Sequence, residues 1–98
     1  MKKIDHTTCP IAKVADLLSD TWTMLIIRDL IHRPMRYNEL LSSLQGVSTR
    51  TLILKLKRLE EQGIVQKNDP FYQLTLKGEH LHQVIDAMAL YGQKYLKD

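Results

Sequence analysis

The chain has 98 residues, and its 14 Lys and Arg against 11 Asp and Glu give a formal net charge of +3. A hydrophobic content of 44% and a charged content of 26% indicate one folded domain and exclude a disordered chain. The single cysteine, Cys9, excludes an internal disulfide framework. The start MKKIDHTTCP lacks the apolar core of a signal peptide, and the longest apolar run is too short for a membrane span. We expect one cytoplasmic domain over residues 1–98, with a charge that permits a nucleic acid partner without requiring one.

Three helices are predicted in the first half of the chain, after a loose arm over residues 1–9. Pro10, a favoured first helical residue, opens the first helix. Thr21 is expected to cap a second helix that is apolar almost all round and should lie at the centre of the core. After a brief extended link over Met35–Tyr37, Asn38 is expected to cap the third helix. The second helix takes its apolar character from Trp22, Met24, Leu25, Ile26, Ile27, Leu30 and Ile31.

The stretch from Ser48 to Gly63 predicts an amphipathic helix, with Ser48 as N-cap and Gly63 as the stop. One face should pack on the core, while the opposite face is basic with a polar start. The preceding helix and the turn Gln45–Val47 complete a helix-turn-helix, whose second helix can enter a DNA major groove. The alternative is an ordinary amphipathic helix with solvated Lys and Arg. The predicted packed face consists of Leu52, Ile53, Leu56 and Leu59. The predicted DNA contacts are Ser48, Thr49, Arg50, Thr51, Leu54, Lys55, Lys57, Arg58 and Lys67.

Two strands, Ile64–Lys67 and Phe71–Leu74, should form a hairpin wing directly after this helix. Thr75 is then expected to cap one last helix over about residues 76–97. That helix carries more apolar surface than a small core can use, which predicts a homodimer held by it. The alternative is a helix folded wholly onto its own domain. The predicted dimer contacts are Leu81, Val84, Ile85, Met88, Tyr91 and Tyr95.

The sequence predicts no metal site, no cofactor and no enzyme. His80 and His82 lie two residues apart on a predicted helix, so their side chains should point to nearly opposite sides. Asp16 and Asp20 are interpreted as solvated surface carboxylates. No Gly-rich loop follows a strand, so no phosphate-binding loop is expected.

The sequence resembles the HxlR family of bacterial winged helix-turn-helix, MarR-like transcription regulators over most of its length. The resemblance lies in Cys9-Pro10, in Trp22 with Leu25-Ile26, in PMRYNEL, in the run from Val47 to Val65 and in YQLTLKGEHL. It implies a mainly α fold with a small β-hairpin wing, and a homodimer on a two-fold symmetric operator. We expect a regulator that represses transcription, with an activator as the alternative. Ser48, Thr49 and Arg50 match the family's start of the recognition helix. The chain departs from the family at Ile53, where Thr is frequent, and in a wing shorter than the usual Pro-rich one.

Cys9 occupies the place of a cysteine through which some family members sense oxidants, quinones or other electrophiles. A thiol at a helix start, with Lys3, His6 and Lys13 nearby in the sequence, should favour the thiolate. The alternative is a small residue packed at the dimer interface.

The alternative function is a winged-helix module that binds protein through the same exposed face, without sequence-specific DNA binding. The small net charge favours this alternative, and so does Leu54, an apolar residue in the middle of that face. Leu54 could instead contact thymine methyl groups.

Overall fold

A computed structural model describes residues 8–97 of the chain, so the expectations for the arm 1–9 fall almost wholly outside the described residues. The described part of the chain forms helices and three short strands, which confirms the predicted mainly helical fold with a β-hairpin wing. In chain order they are α1 (Pro10–Leu17), α2 (Thr21–His32), β1 (Met35–Arg36), α3 (Tyr37–Ser43), α4 (Thr49–Glu61), β2 (Val65–Asn68), β3 (Phe71–Leu74), α5 (Leu76–Glu79) and α6 (His82–Tyr95).

The core lies between α2, α3, α4 and the sheet. Ile26 and Ile27 of α2 are fully buried, which confirms α2 as the central helix. α4 contributes Leu52, Leu56 and Leu59, each at most 1% exposed. Burying one such side chain stabilises the fold by about 1.5–3 kcal/mol. Docking by this leucine stripe fixes which side of α4 remains free.

The sheet has three antiparallel strands in the order β1-β3-β2. Met35 lies opposite Tyr72, and Arg36 lies opposite Phe71 with its guanidinium carbon 5.3 Å from the ring centroid. The predicted extended conformation of Met35 and Arg36 is confirmed, but the prediction that they form only a link is wrong, since they pair with β3 as a strand. Two residues are too few to show the alternation that identifies a strand in a sequence.

Two predicted helix caps are also wrong. Asp20 is the N-cap of α2, and its Oδ1 accepts a hydrogen bond from Thr23 N at 2.9 Å. Arg36 precedes α3, and its backbone N–H donates to Glu39 Oε1 at 2.8 Å. The residues predicted as caps, Thr21 and Asn38, are already helical.

The predicted single helix over about 76–97 is wrong, because the chain forms α5 and α6 with a break at His80 and Leu81. Thr75 caps α5 as expected, with its Oγ1 accepting from Gly78 N at 3.1 Å. Gly78 packs so tightly against the Ile64 carbonyl that an added Cβ would overlap it. The break turns Leu81 into the core, where it is 9% exposed. Within residues 8–97, every helix is too short or too polar to cross a membrane.

Candidate nucleic-acid interface

The start of α4 is held by local hydrogen bonds and by a contact to α3. Ser48 caps the helix as predicted, with its Oγ accepting from Thr51 N at 3.0 Å. The hydroxyl of Tyr37 donates to the carbonyl of Thr49 at 3.3 Å. In the turn before α4, Gly46 has φ of +92°, a left-handed conformation that favours glycine. The turn and the cap together set the direction in which α4 leaves α3.

The side of α4 turned away from the leucine stripe is exposed, and we call it the free face. It consists of Arg50, Ile53, Leu54, Lys57, Arg58 and Glu61, all of which are exposed. Ile53 was predicted on the packed side, and this is wrong because it is 55% exposed. It lies about 100° around the helix from Leu52, just beyond the stripe. The free face is therefore both basic and partly apolar.

Lys55 differs from the other cations predicted to contact DNA because its ammonium group forms an ion pair within the described part of the protein. Its Nζ donates to Asp20 Oδ2 at 2.9 Å, and the two side chains are 27% and 28% exposed. Partial burial raises the pKa of Asp20, but hydrogen bonds from Lys55 and Thr23 outweigh it and bring the pKa below its ordinary value. The prediction that Asp20 is simply solvated is wrong. Lys55 joins α4 to the start of α2 instead of extending from the free face.

The hairpin of β2 and β3 lies beside the free face, with Lys67 exposed near its tip. The ammonium group of Lys67 lies 5.5 Å from the centroid of the Tyr72 ring. A cleft of about 430 Å³ separates this wing from α4. Its lining consists of Tyr37, Ile53, Lys67, Asp69, Pro70 and Tyr72. The structure thus brings Lys67 and the basic part of α4 onto one side of the molecule, with a cleft between them.

The predicted dimer residues divide into two groups. Leu81 packs in the core of its own domain, and Val84 and Ile85 pack partly buried against that core. Met88 and Tyr91 are 46% and 60% exposed, and Tyr95 is similarly exposed. Sequence reasoning missed further exposed apolar residues on the terminal helices, which are Ile11, Val14, Leu90 and Leu96. The spacing of Ile11 and Val14 indicates an apolar face on a short helix, but it does not indicate whether the core covers that face.

Cys9 precedes α1 as its N-cap residue and is partly buried. Its carbonyl accepts from Lys13 N at 3.0 Å, while its side chain makes no capping hydrogen bond. Lys3 and His6, which the sequence places near the thiol, lie outside the described residues. In the described part of the chain, no three His, Cys, Asp or Glu side chains are grouped to hold a metal ion.

Residues 17–98 match the sequence profile of the HxlR-like helix-turn-helix family. A helix-turn-helix transcriptional regulator of Synechocystis sp. is 37% identical over 97 residues, which span 91% of this chain and 71% of the relative. The transcriptional regulator YodB of Bacillus subtilis is 31% identical over 98 residues, spanning 92% of this chain and 88% of YodB.

Solved structures of similar fold belong to regulators as well. A MarR-family transcriptional regulator from Porphyromonas gingivalis superposes with a TM-score of 0.87 at 34% identity, over 97% of this chain and all of that one. Quinone-bound YodB gives a TM-score of 0.82 at 32% identity, over 89% of this chain and all of YodB. The oxidised form of the redox regulator HypR gives 0.80 at 26% identity, over 92% of this chain and all of HypR.

Proposed function

The chain belongs to the HxlR-like helix-turn-helix family of transcriptional regulators, and from this premise we propose that it binds a two-fold symmetric operator as a homodimer and represses transcription. The free face of α4 carries the proposal. Arg50, Lys57 and Arg58 on this face form no ion pair with an acidic side chain in residues 8–97. Three cations on the second helix of a helix-turn-helix, without an acidic partner in the described range, are suited to phosphates and base edges in a major groove.

The position of each cation along α4 indicates its role. Arg50 is the second residue of the helix, and the first turns of a recognition helix enter the groove deepest. We assign Arg50 to a base edge, together with the polar Ser48, Thr49 and Thr51 around it. Lys57 and Arg58 lie two turns further on, where the groove wall offers phosphates. Lys67 on the wing is assigned to the DNA backbone. Lys55 is assigned to holding α4 in place through Asp20.

A pair of variants tests these roles. Arg50→Ala should weaken binding to a selected operator by about 1–3 kcal/mol per half-site and relax specificity at one base pair in each half-site. Lys57→Ala should weaken all sequences alike and reduce the salt slope of binding by about two, one for each subunit of the dimer. Both are measured by fluorescence anisotropy on the selected operator and on a scrambled duplex. Equal losses for Arg50→Ala on the two duplexes would refute the base-reading role.

The homodimer is proposed to form through the exposed end of α6, with help from α1. Met88, Tyr91 and Tyr95 extend past the part of α6 that packs on the core. Ile11 of α1 is 81% exposed and lines a shallow apolar groove with Pro10 and Val14. A second copy would cover these surfaces and set two recognition helices about one DNA turn, roughly 34 Å, apart.

Cys9 is proposed as the point at which an electrophile or oxidant releases the DNA. Relatives of known structure include YodB with a bound quinone and HypR in oxidised and reduced forms. Cys9 is the chain's one thiol, and it precedes α1, which we place at the dimer interface. An adduct on the thiolate or a disulfide to the partner's thiol would shift α1 and separate the two recognition helices. The alternative is that Cys9 only packs there.

A protein-binding module is the second candidate, and the exposed Ile53 and Leu54 favour it. Exposed apolar side chains are frequent in protein interfaces, where a partner removes them from water. The basic side chains around them favour DNA instead.

A further inference from the structure

Ile53 and Leu54 are two neighbouring apolar side chains on the free face, 55% and 56% exposed. The leucine stripe of α4 already fills the core on the opposite side of the helix. Neither residue therefore belongs to the buried core of its own domain. Single exposed Ile or Leu side chains are common on protein surfaces, but a pair of them at the centre of a candidate binding face indicates that a ligand contacts them.

The charges around the pair determine which occupant fits. Arg50 lies one turn before Leu54, and Arg58 lies one turn after it. Lys57 lies one turn after Ile53, and the cleft beside Ile53 is lined by Lys67 and Asp69. An apolar protein surface would have to bury these cations without partners, which is unfavourable. The DNA major groove instead offers phosphates at its walls and the C5-methyl group of thymine on its floor.

We propose that Leu54 and Ile53 read thymine in the operator through its C5-methyl group. Thymine alone among the four bases presents a methyl group in the major groove. Leu54 lies opposite the leucine stripe and faces the groove floor, while Ile53 lies on the side towards the wing cleft. Consecutive side chains on a helix diverge by about 100°, so the two contact different base pairs. Each half-site then contains two thymines that the polar contacts do not specify. This inference rests on the proposed function.

Replacement of thymine by uracil tests the proposal, because uracil lacks only that methyl group. A duplex is first selected from a random-sequence pool with the full-length protein. It is then synthesised with deoxyuridine at one thymidine position at a time, and the dissociation constant of each duplex is measured by anisotropy. At two positions per half-site we expect about fourfold weaker binding, since a buried methyl group contributes about 0.8 kcal/mol.

Matched variants assign each position to one side chain. In Leu54→Ala, uracil should no longer weaken binding at one of the two positions. In Ile53→Ala, uracil should no longer weaken binding at the other position. Both residues are exposed and Ala favours helices, so the fold should be retained. Leu76→Ala, an equally conservative change at a 70% exposed leucine on α5, should keep both uracil effects.

The possible failures are distinguishable. If uracil changes the affinity at no position of a selected duplex, or if its effects persist in both variants, this inference is wrong while the proposed function stands. If the protein selects no duplex at all, the proposed function falls and this inference falls with it. In that case Ile53→Ala and Leu54→Ala would be examined for loss of a protein partner.

Discussion

Asp20 joins the start of α2 to the recognition helix, and its replacement tests how α4 is held. Its carboxylate accepts from Thr23 N, Thr23 Oγ1 and Lys55 Nζ, each at 2.9 Å. Asp20→Ala removes an N-cap, which contributes about 0.5–2 kcal/mol. It also leaves the hydroxyl of Thr23, a residue only 4% exposed, without its acceptor, at a cost of about 1–3 kcal/mol. We expect the free energy of unfolding to fall by about 1.5–5 kcal/mol in total.

Asp20→Asn is the matched control, because Asn caps helices as well as Asp does. Its amide oxygen can still accept from Thr23 N, and the NH2 that replaces Oδ2 can donate to Thr23 Oγ1. The negative charge and the acceptor opposite Lys55 are removed. The expected loss is about 0.5–1 kcal/mol, since the pair is partly exposed and screened by solvent. A double-mutant cycle of Asp20→Asn with Lys55→Met should show a coupling of this size. Lys55→Met should also leave the salt slope of DNA binding unchanged, in contrast to Lys57→Ala.

The ion pair also gives this prediction a pH dependence. The pKa of Asp20 is lower in the folded protein than the ordinary value of 3.8, because hydrogen bonds from Lys55 and Thr23 outweigh the opposing effect of burial. A lowered folded pKa stabilises the fold fully above the ordinary value, and this contribution is lost as the pH falls through the folded pKa. The stability gap between the native protein and Asp20→Asn should therefore shrink below pH 3.8.

Urea unfolding at one fixed protein concentration measures all of these differences. The reasoning would be refuted by an Asp20→Asn loss as large as that of Asp20→Ala, because the cap would then contribute nothing. A coupling of zero between Asp20 and Lys55 would refute the proposed link between α2 and α4.

Three further predictions follow from the packing of the chain's two ends. Gly78→Ala should lower the free energy of unfolding by more than about 2 kcal/mol, because the added Cβ would overlap a backbone carbonyl. In the control Gly92→Ala the added Cβ has no atom of the described chain within 4 Å, so this variant should be neutral or stabilising in urea unfolding. Replacing Met88 and Tyr91 together by Asp should give folded monomers in light scattering, and a native protein that is already monomeric at micromolar concentration would contradict this. Diamide or a quinone should weaken operator binding by the native protein but not by Cys9→Ser. If mass spectrometry shows that Cys9 is modified while the native protein keeps its full affinity, Cys9 has only a packing role.

The recognition helix could be predicted because its signals are local. Ser48 caps it, leucines at helical spacing mark its packed face, and the turn before it contains a glycine. The edge of the packed face was harder to predict than its centre. Ile53 is as apolar as its neighbours, and only the filling of the core by the three leucines leaves it outside. Periodicity identifies the centre of a helix face better than its margin.

Features that depend on distant partners were missed. Lys55 pairs with Asp20, and nothing in the spacing of either residue indicates the other. β1 exists because β3 lies beside it, not because of its own pattern. The break between α5 and α6 was hidden because the apolar spacing continues across it from Leu81 to Val84. The same continuity led to Leu81 being predicted at the dimer interface when the core contains it.

The salt dependence of binding to genomic DNA fragments tests the central claim, that the free face of α4 binds DNA. Lys57, Arg58 and Lys67 of two subunits would neutralise six phosphates, so the logarithm of the binding constant should fall with the logarithm of the salt concentration at a slope of about −5. The measurement needs only the native chain and anisotropy between about 50 and 200 mM salt. A slope near zero, or no binding to any fragment at the lowest salt, would contradict the account.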